Sequence, residues 1–260
     1  MATQSDAEQV QAHYDLCDEF FSLFLDATRT YSCAYFSRDD LTLEEAQLAK
    51  IDLALGKLGQ QPGMTLIDVG GGWGWTLVRE PEKYDVNVIG LTLSKNQHAH
   101  VERLSAATPS SRSRCVRLQD WGQFDEPIDR IVSIGAFEHF GLERCTDFFR
   151  FAQRVLPDEG IMLLHNITAL HPHEAANRGL PLTFELSGFI KFILTEIFPG
   201  GCLPSVNKVE FHTTANGFTV ERVQRLQPHY AKTLETWADR LYRHHAEASH
   251  CSRRRSASGT

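Results

Sequence analysis

The 260-residue chain lacks a long apolar run, a paired-cysteine motif and an excess of positive charge. No stretch of about 18 apolar residues occurs, so no integral membrane segment is expected. The opening MATQSDAEQV has neither a basic n-region nor an apolar h-region, and a secretory signal is not expected either. Lys and Arg number 26 against 33 Asp and Glu, a formal charge of −7. That balance argues against nucleic acid or an anionic membrane as a partner. The six cysteines are Cys17, Cys33, Cys115, Cys145, Cys202 and Cys251, and none forms a C-x-x-C pair. A structural zinc site is therefore not expected, and no metal is assigned. Without an export signal, reduced thiols and a cytoplasmic location are the expectation. No internal repeat is visible.

What is present is a hydrophobic fraction of 42%, enough for the core of one α/β domain. Residues 8–30 read as an amphipathic helix and residues 42–58 as a second one, with Thr42 and Glu45 at capping-box spacing. A βα alternation follows. MTLIDVG, VNVIGLTL, CVRLQDW, DRIVSIG and GIMLLHNIT read as strands, and helices are expected near residues 77–83, 94–107 and 143–155. Such alternation implies a doubly wound parallel sheet, whose ligands bind at the carboxyl ends of the strands. Residues 171–206 break the alternation. LPLTFELSGFIKFILTEIFPGG is apolar on nearly every face, so it reads as a helix that needs extensive cover or that walls an apolar pocket. Residues 206–217 read as helix, FTVERVQRL as a strand and HYAKTLETWADRLYRHH as a further helix. The Arg- and Ser-rich end has no apolar periodicity and reads as disordered.

In LIDVGGGWGWTL, residues 66–77, four glycines crowd around Trp73 directly behind the first strand. A dinucleotide site needs G-x-G-x-x-G and an acid at the end of the second strand. Here the third glycine position holds Trp75, and the second strand supplies Thr92 and Ser94 without a carboxylate. S-adenosylmethionine (SAM) carries no phosphate to cradle. It needs close backbone approach and an acid for its cationic groups, which Asp68, Gly70, Gly72 and Gly74 supply. Trp73 and Trp75 read as packing residues.

The stretches QAHYDLCDEFFSLFLD, TYSCAYF, GMTLIDVGGGWG, YDVNVIGLTLSKNQ, DRIVSIGAFEHFG, KFILTEIFPGG and LQPHYAKTLETWA occur in that order. Together they resemble the mycolic acid cyclopropane synthase and methyltransferase family, relatives of cyclopropane fatty acid synthase. The resemblance implies a Rossmann-like class I SAM-dependent methyltransferase fold, with N-terminal helices and a helical lid insertion. It implies one domain over residues 1–240: N-terminal helices 8–58, a core over 62–168, a lid over 169–206 and a C-terminal part over 207–240. Residues 241–260 are left as a disordered tail. It also implies an enzyme that uses SAM to transfer a methyl or methylene group to a double bond of a very long unsaturated acyl chain. That chain is expected on an acidic acyl carrier protein.

By the same resemblance, SAM is held by Tyr31 and Ser32, by Asp68, Gly70, Gly72 and Gly74, by Thr92, Leu93, Ser94 and Gln97, and by Trp121 and Gly122. A bicarbonate ion beside the sulfonium is implied on Cys33, Glu138, His165, Tyr230 and the backbone amide of Ile134. It acts as the base that takes a proton after the alkene has attacked the methyl group and become a carbocation. The substrate channel is implied along Phe184, Leu186, Phe189, Ile190, Phe192 and Ile193. Taken singly, these residues have ordinary readings. Cys33 reads as a buried thiol, His165 as a hydrogen-bonded strand-end polar group, Glu138 as a helix N-terminal acid and Tyr230 as core.

Two departures stand out. The family usually carries cysteine where this chain has Gly71. The resemblance stops near Ala238, whereas family members continue to a final antiparallel strand, which is expected to be missing here. An open sheet edge and impaired turnover follow from that expectation. A SAM-binding remnant without full activity is therefore the alternative reading.

Overall fold

The structure is a computed structural model, and it describes residues 18–141, 143–170, 172–180, 183–197 and 203–258. Five strands form one sheet: β1 (Thr65–Val69), β2 (Asn87–Thr92), β3 (Arg114–Leu118), β4 (Arg130–Ile134) and β5 (Ile161–His165), in the spatial order β3-β2-β1-β4-β5. All four pairings are parallel, with Asp68 opposite both Gly90 and Val132 and with Ile134 opposite His165. The order reverses between β1 and β4, so the topological switch point lies above the ends of those two strands. The central strands are buried along nearly their whole length, which suits their Ile/Leu/Val-rich sequences. β5 is half-buried throughout and has no strand beyond it among the described residues.

The helices are α1 (Asp18–Ser22), α2 (Leu43–Leu55), α3 (Trp75–Tyr84), α4 (Lys95–Ala107), α5 (Cys145–Val155), α6 (Pro172–Asn177), α7 (Phe184–Phe192), α8 (Val206–Ala215), α9 (Gln227–Arg243) and α10 (His245–Ser258). Thr42 caps α2 as its spacing predicts. Glu45 N–H donates to Thr42 Oγ1 at 3.2 Å, and Thr42 N–H donates to Glu45 Oε2 at 2.8 Å. Ser94 caps α4 through Gln97 N–H at 3.2 Å.

Four expectations change. The first part of the helix expected over residues 8–30 lies outside the described residues, and its described part is helical only over Asp18–Ser22. The chain then turns so that Asp26 accepts from Thr28 and Thr30, a local side-chain competitor to helix. Residues 218–226, expected as a strand, have no ladder partner among the described residues and do not form one. Alternating apolar residues make a strand only where a neighbouring edge pairs with them. The end of the chain, expected to be disordered, is helical as α10 and packs beside α1. It lacks an apolar stripe, but it contains no Pro or Gly and several good helix formers. Finally, α7 is not covered. Phe184 is 94% exposed and Phe189 57%, with Leu186, Ile190 and Phe192 also exposed.

Three apolar clusters hold the sheet. One packs Ile67, Val69 and Ile131 under Trp121, Phe137, Phe148, Phe149 and Phe151. A second joins Leu55, Leu66, Leu77, Val88 and Val132 on the α2 and α3 side. The third lies outside the sheet and joins Phe21, Phe24, Phe36 and Trp73 to Trp237 of α9. Trp73 is thus a packing residue at the tip of the glycine turn.

Candidate active site

The glycine turn follows β1 directly. Gly70 has φ +84°, and a Cβ there would stand 2.3 Å from Ala136 Cβ, so only glycine fits. Gly71 is different. Its φ is not in the left-handed region, and a Cβ would meet Asp68 Oδ2, Gly90 Cα and Leu77 Cδ1 at an ordinary 3.6 Å. A Cβ there would therefore be tolerated. Beneath the turn, Asp68 is buried and bonded to Thr76, and burial pushes its carboxyl up to about 7. A buried acid in that state gains from any cation placed against it.

The cleft over this turn is lined by Tyr31, Ser32, Asp68, Gly70, Gly72, Gly74, Thr92, Leu93, Gln97, Trp121 and Ile134. Thr92 and Gln97 are locked to each other, Thr92 Oγ1 donating to Gln97 Oε1 at 2.8 Å. Ser94 and Gly122 stand behind the cleft. Ser94 is spent on capping α4, and Gly122 N–H donates to Asp120 Oδ1 at 2.9 Å. Two lining residues escape the sequence reading, Asp120 and Arg144. They form an ion pair at 2.8 Å, and the Arg144 guanidinium lies 4.3 Å from the Trp121 ring centre. The acid beside Trp121 at a strand end was a visible signal. Its partner, 24 residues on, was not.

A second cavity of about 1410 Å³ adjoins the first and shares Tyr31, Ser32, Lys50 and Gly135 with it. Cys33, Glu138, His165 and Tyr230 all line it, brought together from the segment before α2, the turn after β4, the end of β5 and the first turn of α9. Ile134 lines only the cofactor cleft. Residues 160–168 form one wall and residues 217–227 another. None of the six expected channel residues on α7 and just after it lines this cavity.

The four groups share one electrostatic character. Burial pushes the Cys33 thiol up to about 11 and the Tyr230 phenol up, while it holds His165 down at about 3 with help from Lys50 and Lys57. At neutral pH these three are therefore uncharged. Glu138 is 1% exposed and pushed up to about 7 by burial. Its Oε1 accepts from Ile167 N–H, and its Oε2 has no hydrogen-bond partner among the described residues. Cys33 is fixed from the chain's far end, because Ala34 N–H donates to Thr233 Oγ1 at 3.1 Å. Arg240 of the same helix reaches Leu25 O at 3.2 Å and Glu44 Oε1 at 2.9 Å.

A buried acid under a glycine turn, at the switch point of a parallel sheet, suits the cofactor half of a SAM-dependent methyltransferase. The chain belongs to the mycolic acid cyclopropane synthetase family, whose sequence profile matches residues 1–258. The match extends past Ala238, further than the sequence reading places its end. Cyclopropane mycolic acid synthase 1 of Mycobacterium tuberculosis is 66% identical over 239 residues, 92% of this chain and 83% of that protein. Methoxy mycolic acid synthase MmaA3 of the same species is 58% identical over 246 residues, 95% and 84% of the two chains. The crystal structure of mycolic acid cyclopropane synthase CmaA1 complexed with SAH and CTAB superposes with a TM-score of 0.91 at 64% identity. It covers 94% of this chain and 86% of its own.

Proposed function

We propose that this chain transfers a methyl or methylene group from SAM to a double bond of a very long, mycolic-type acyl chain. The observation that carries the reading is the junction of the two cavities at Tyr31 and Ser32, with Cys33, Glu138, His165 and Tyr230 gathered just beyond it. Bound SAM would supply an electrophilic methyl group, and bicarbonate on the Cys33, Glu138, His165 and Tyr230 groups would supply a small base. The residues suit both. Asp68 gains from a cation, and the thiol, the phenol and the orphaned Glu138 Oε2 can each donate or accept toward a small oxyanion. The Ile134 amide fits the cofactor side better than the anion side.

The chain's own groups then have clear duties. The aromatic wall of Tyr31 and the apolar β5 face exclude water from a cationic centre on the acyl chain. With Cys33, His165 and Tyr230 neutral, and Glu138 raised to about 7 by burial, little charged nucleophile competes with the base for that cation. We place the acyl tail against the exposed apolar row Phe184, Leu186, Phe189, Ile190 and Phe192, with Ile193 beyond it, where it covers surface left exposed among the described residues. An acidic acyl carrier protein is the proposed donor and the cytoplasm the proposed location. No helix among the described residues is long and apolar enough to cross a membrane.

The test is incubation with methyl-labelled SAM and an unsaturated acyl-carrier substrate, followed by mass spectrometry of the acyl chain. Label in the acyl chain supports the reading. SAM binding without transfer supports the second reading, a cofactor-binding chain with impaired turnover.

A further inference from the structure

Lys50 is left over by every role described so far. It lies within α2, is 2% exposed, and lines both cavities. Its ammonium has three N–H donors, of which one goes to Ser32 Oγ at 2.7 Å. It forms no salt bridge among the described residues. The nearby acids are engaged elsewhere, Asp26 with Thr28 and Thr30 and Asp68 with Thr76. Burial pulls Lys50 down to about 8, which still leaves it mostly charged at neutral pH. A buried unpaired ammonium opposes folding, and an apolar side chain of the same length would be easier to bury.

Anchoring does not explain it either. Gln47 Nε2 already fastens the same segment, donating to Thr30 O at 3.2 Å and Ser32 O at 2.9 Å. The large cavity does need something that Lys50 has. Cys33, His165 and Tyr230 are neutral, and Glu138 contributes either nothing or a negative charge. An anion set among these four groups meets no positive partner. Of the other cations that line the cavity, Lys57 is half-buried and tied to Gln224 Oε1 at 2.6 Å, while Arg178, Arg222 and Arg225 are exposed to solvent and Arg178 is paired with Glu174.

We propose that Lys50 is the counter-charge of the oxyanion site in the large cavity, a positioning residue that makes it possible to hold bicarbonate beside Glu138. This rests on the bicarbonate reading above. Ser32 sets the direction of the ammonium, and Lys50 in turn joins the cofactor cleft to the anion site through one charge. The site is thus electrically complete only when both the anion and Lys50 are present.

The experiment titrates sodium bicarbonate into the full SAH-loaded chain by calorimetry, for the parent, Lys50→Met and Lys50→Arg, with SAH affinity and melting temperature measured on each. Lys50→Met is expected to weaken bicarbonate about tenfold or more while leaving SAH within about threefold. Lys50→Arg is expected to restore bicarbonate binding, which a purely packing role would not do. Equal bicarbonate affinity in the parent and Lys50→Met overturns the inference. So does parallel loss of SAH and bicarbonate, which marks a structural role. A parent that binds SAH but no bicarbonate overturns the underlying reading instead. Lys50→Gln serves as the second neutral variant if Lys50→Met does not fold.

Discussion

Replacing Gly70 and Gly71 by alanine, one at a time, separates a glycine the turn needs from one it merely has. At Gly70 the added methyl meets two penalties. The left-handed backbone at φ +84° costs a non-glycine residue about 1–2 kcal/mol. The overlap with Ala136 Cβ at 2.3 Å forces a backbone shift, which costs about 1–3 kcal/mol more. For a domain of this size each kcal/mol moves the melting temperature by roughly 2–4 °C, so Gly70→Ala should melt about 4–20 °C lower. At Gly71 neither penalty applies, because the new contacts sit at 3.6 Å and the backbone is ordinary. Removing unfolded-state freedom there should raise stability by about 0.4–1 kcal/mol. Differential scanning calorimetry and SAH titration on both variants give the assay. Gly70→Ala should also lose SAH affinity, and Gly71→Ala should keep it. A Gly70→Ala protein that melts with the parent, or a Gly71→Ala protein as damaged as Gly70→Ala, would refute the reasoning.

Glu138→Gln should lower turnover by a factor of about 10²–10⁴ while leaving SAH binding intact, as seen in a label-transfer assay. The same variant carries a pH signature. The Glu138 carboxyl is raised when folded, so its stability contribution is full below the unfolded value and is lost as pH rises toward about 7. Glu138→Gln should therefore gain on the parent in melts between about pH 4 and pH 7 and match it at lower pH. Thr233→Val strands the buried Ala34 N–H and should cost about 1–3 kcal/mol in denaturant unfolding, with activity falling as Cys33 loosens. Phe184→Ser with Phe189→Ser should leave stability within about 0.5 kcal/mol, because both are exposed, yet raise KM for an acyl substrate. An unchanged KM would place the acyl chain elsewhere.

The sheet was legible because most strands are apolar runs ended by a glycine or a polar cap, and the caps at Thr42 and Ser94 declare themselves at fixed spacing. The glycine turn was legible for the same local reason. Three things were not local. Whether residues 218–226 pair as a strand depends on a neighbour that their own pattern does not contain. Whether α7 is covered depends on what faces it. The Asp120–Arg144 pair and Lys50 become visible only when distant segments are folded onto one cleft, since a lysine on α2 reads from sequence as a solvated charge. Cys33, Glu138, His165 and Tyr230 came from family resemblance, and the fold brings them around one cavity.

The bonds from α9 back to the first segments have a temporal consequence. Ala34 to Thr233, Arg240 to Leu25 and Arg240 to Glu44 join residues 199, 215 and 196 apart. Contacts of that sequence separation form late, because the intervening chain must be organised before its closure is rewarded. The cofactor cleft is lined by no described residue after Arg144, although Tyr31 of its wall packs on Trp237 and Trp73 shares their cluster, whereas the chamber around Cys33 is itself lined by Tyr230. During synthesis, then, the residues that line the proposed cofactor cleft emerge before those that complete the large cavity. Pulse-labelled hydrogen exchange would show the β1 amides protected well before that of Ala34, and simultaneous protection would contradict this order.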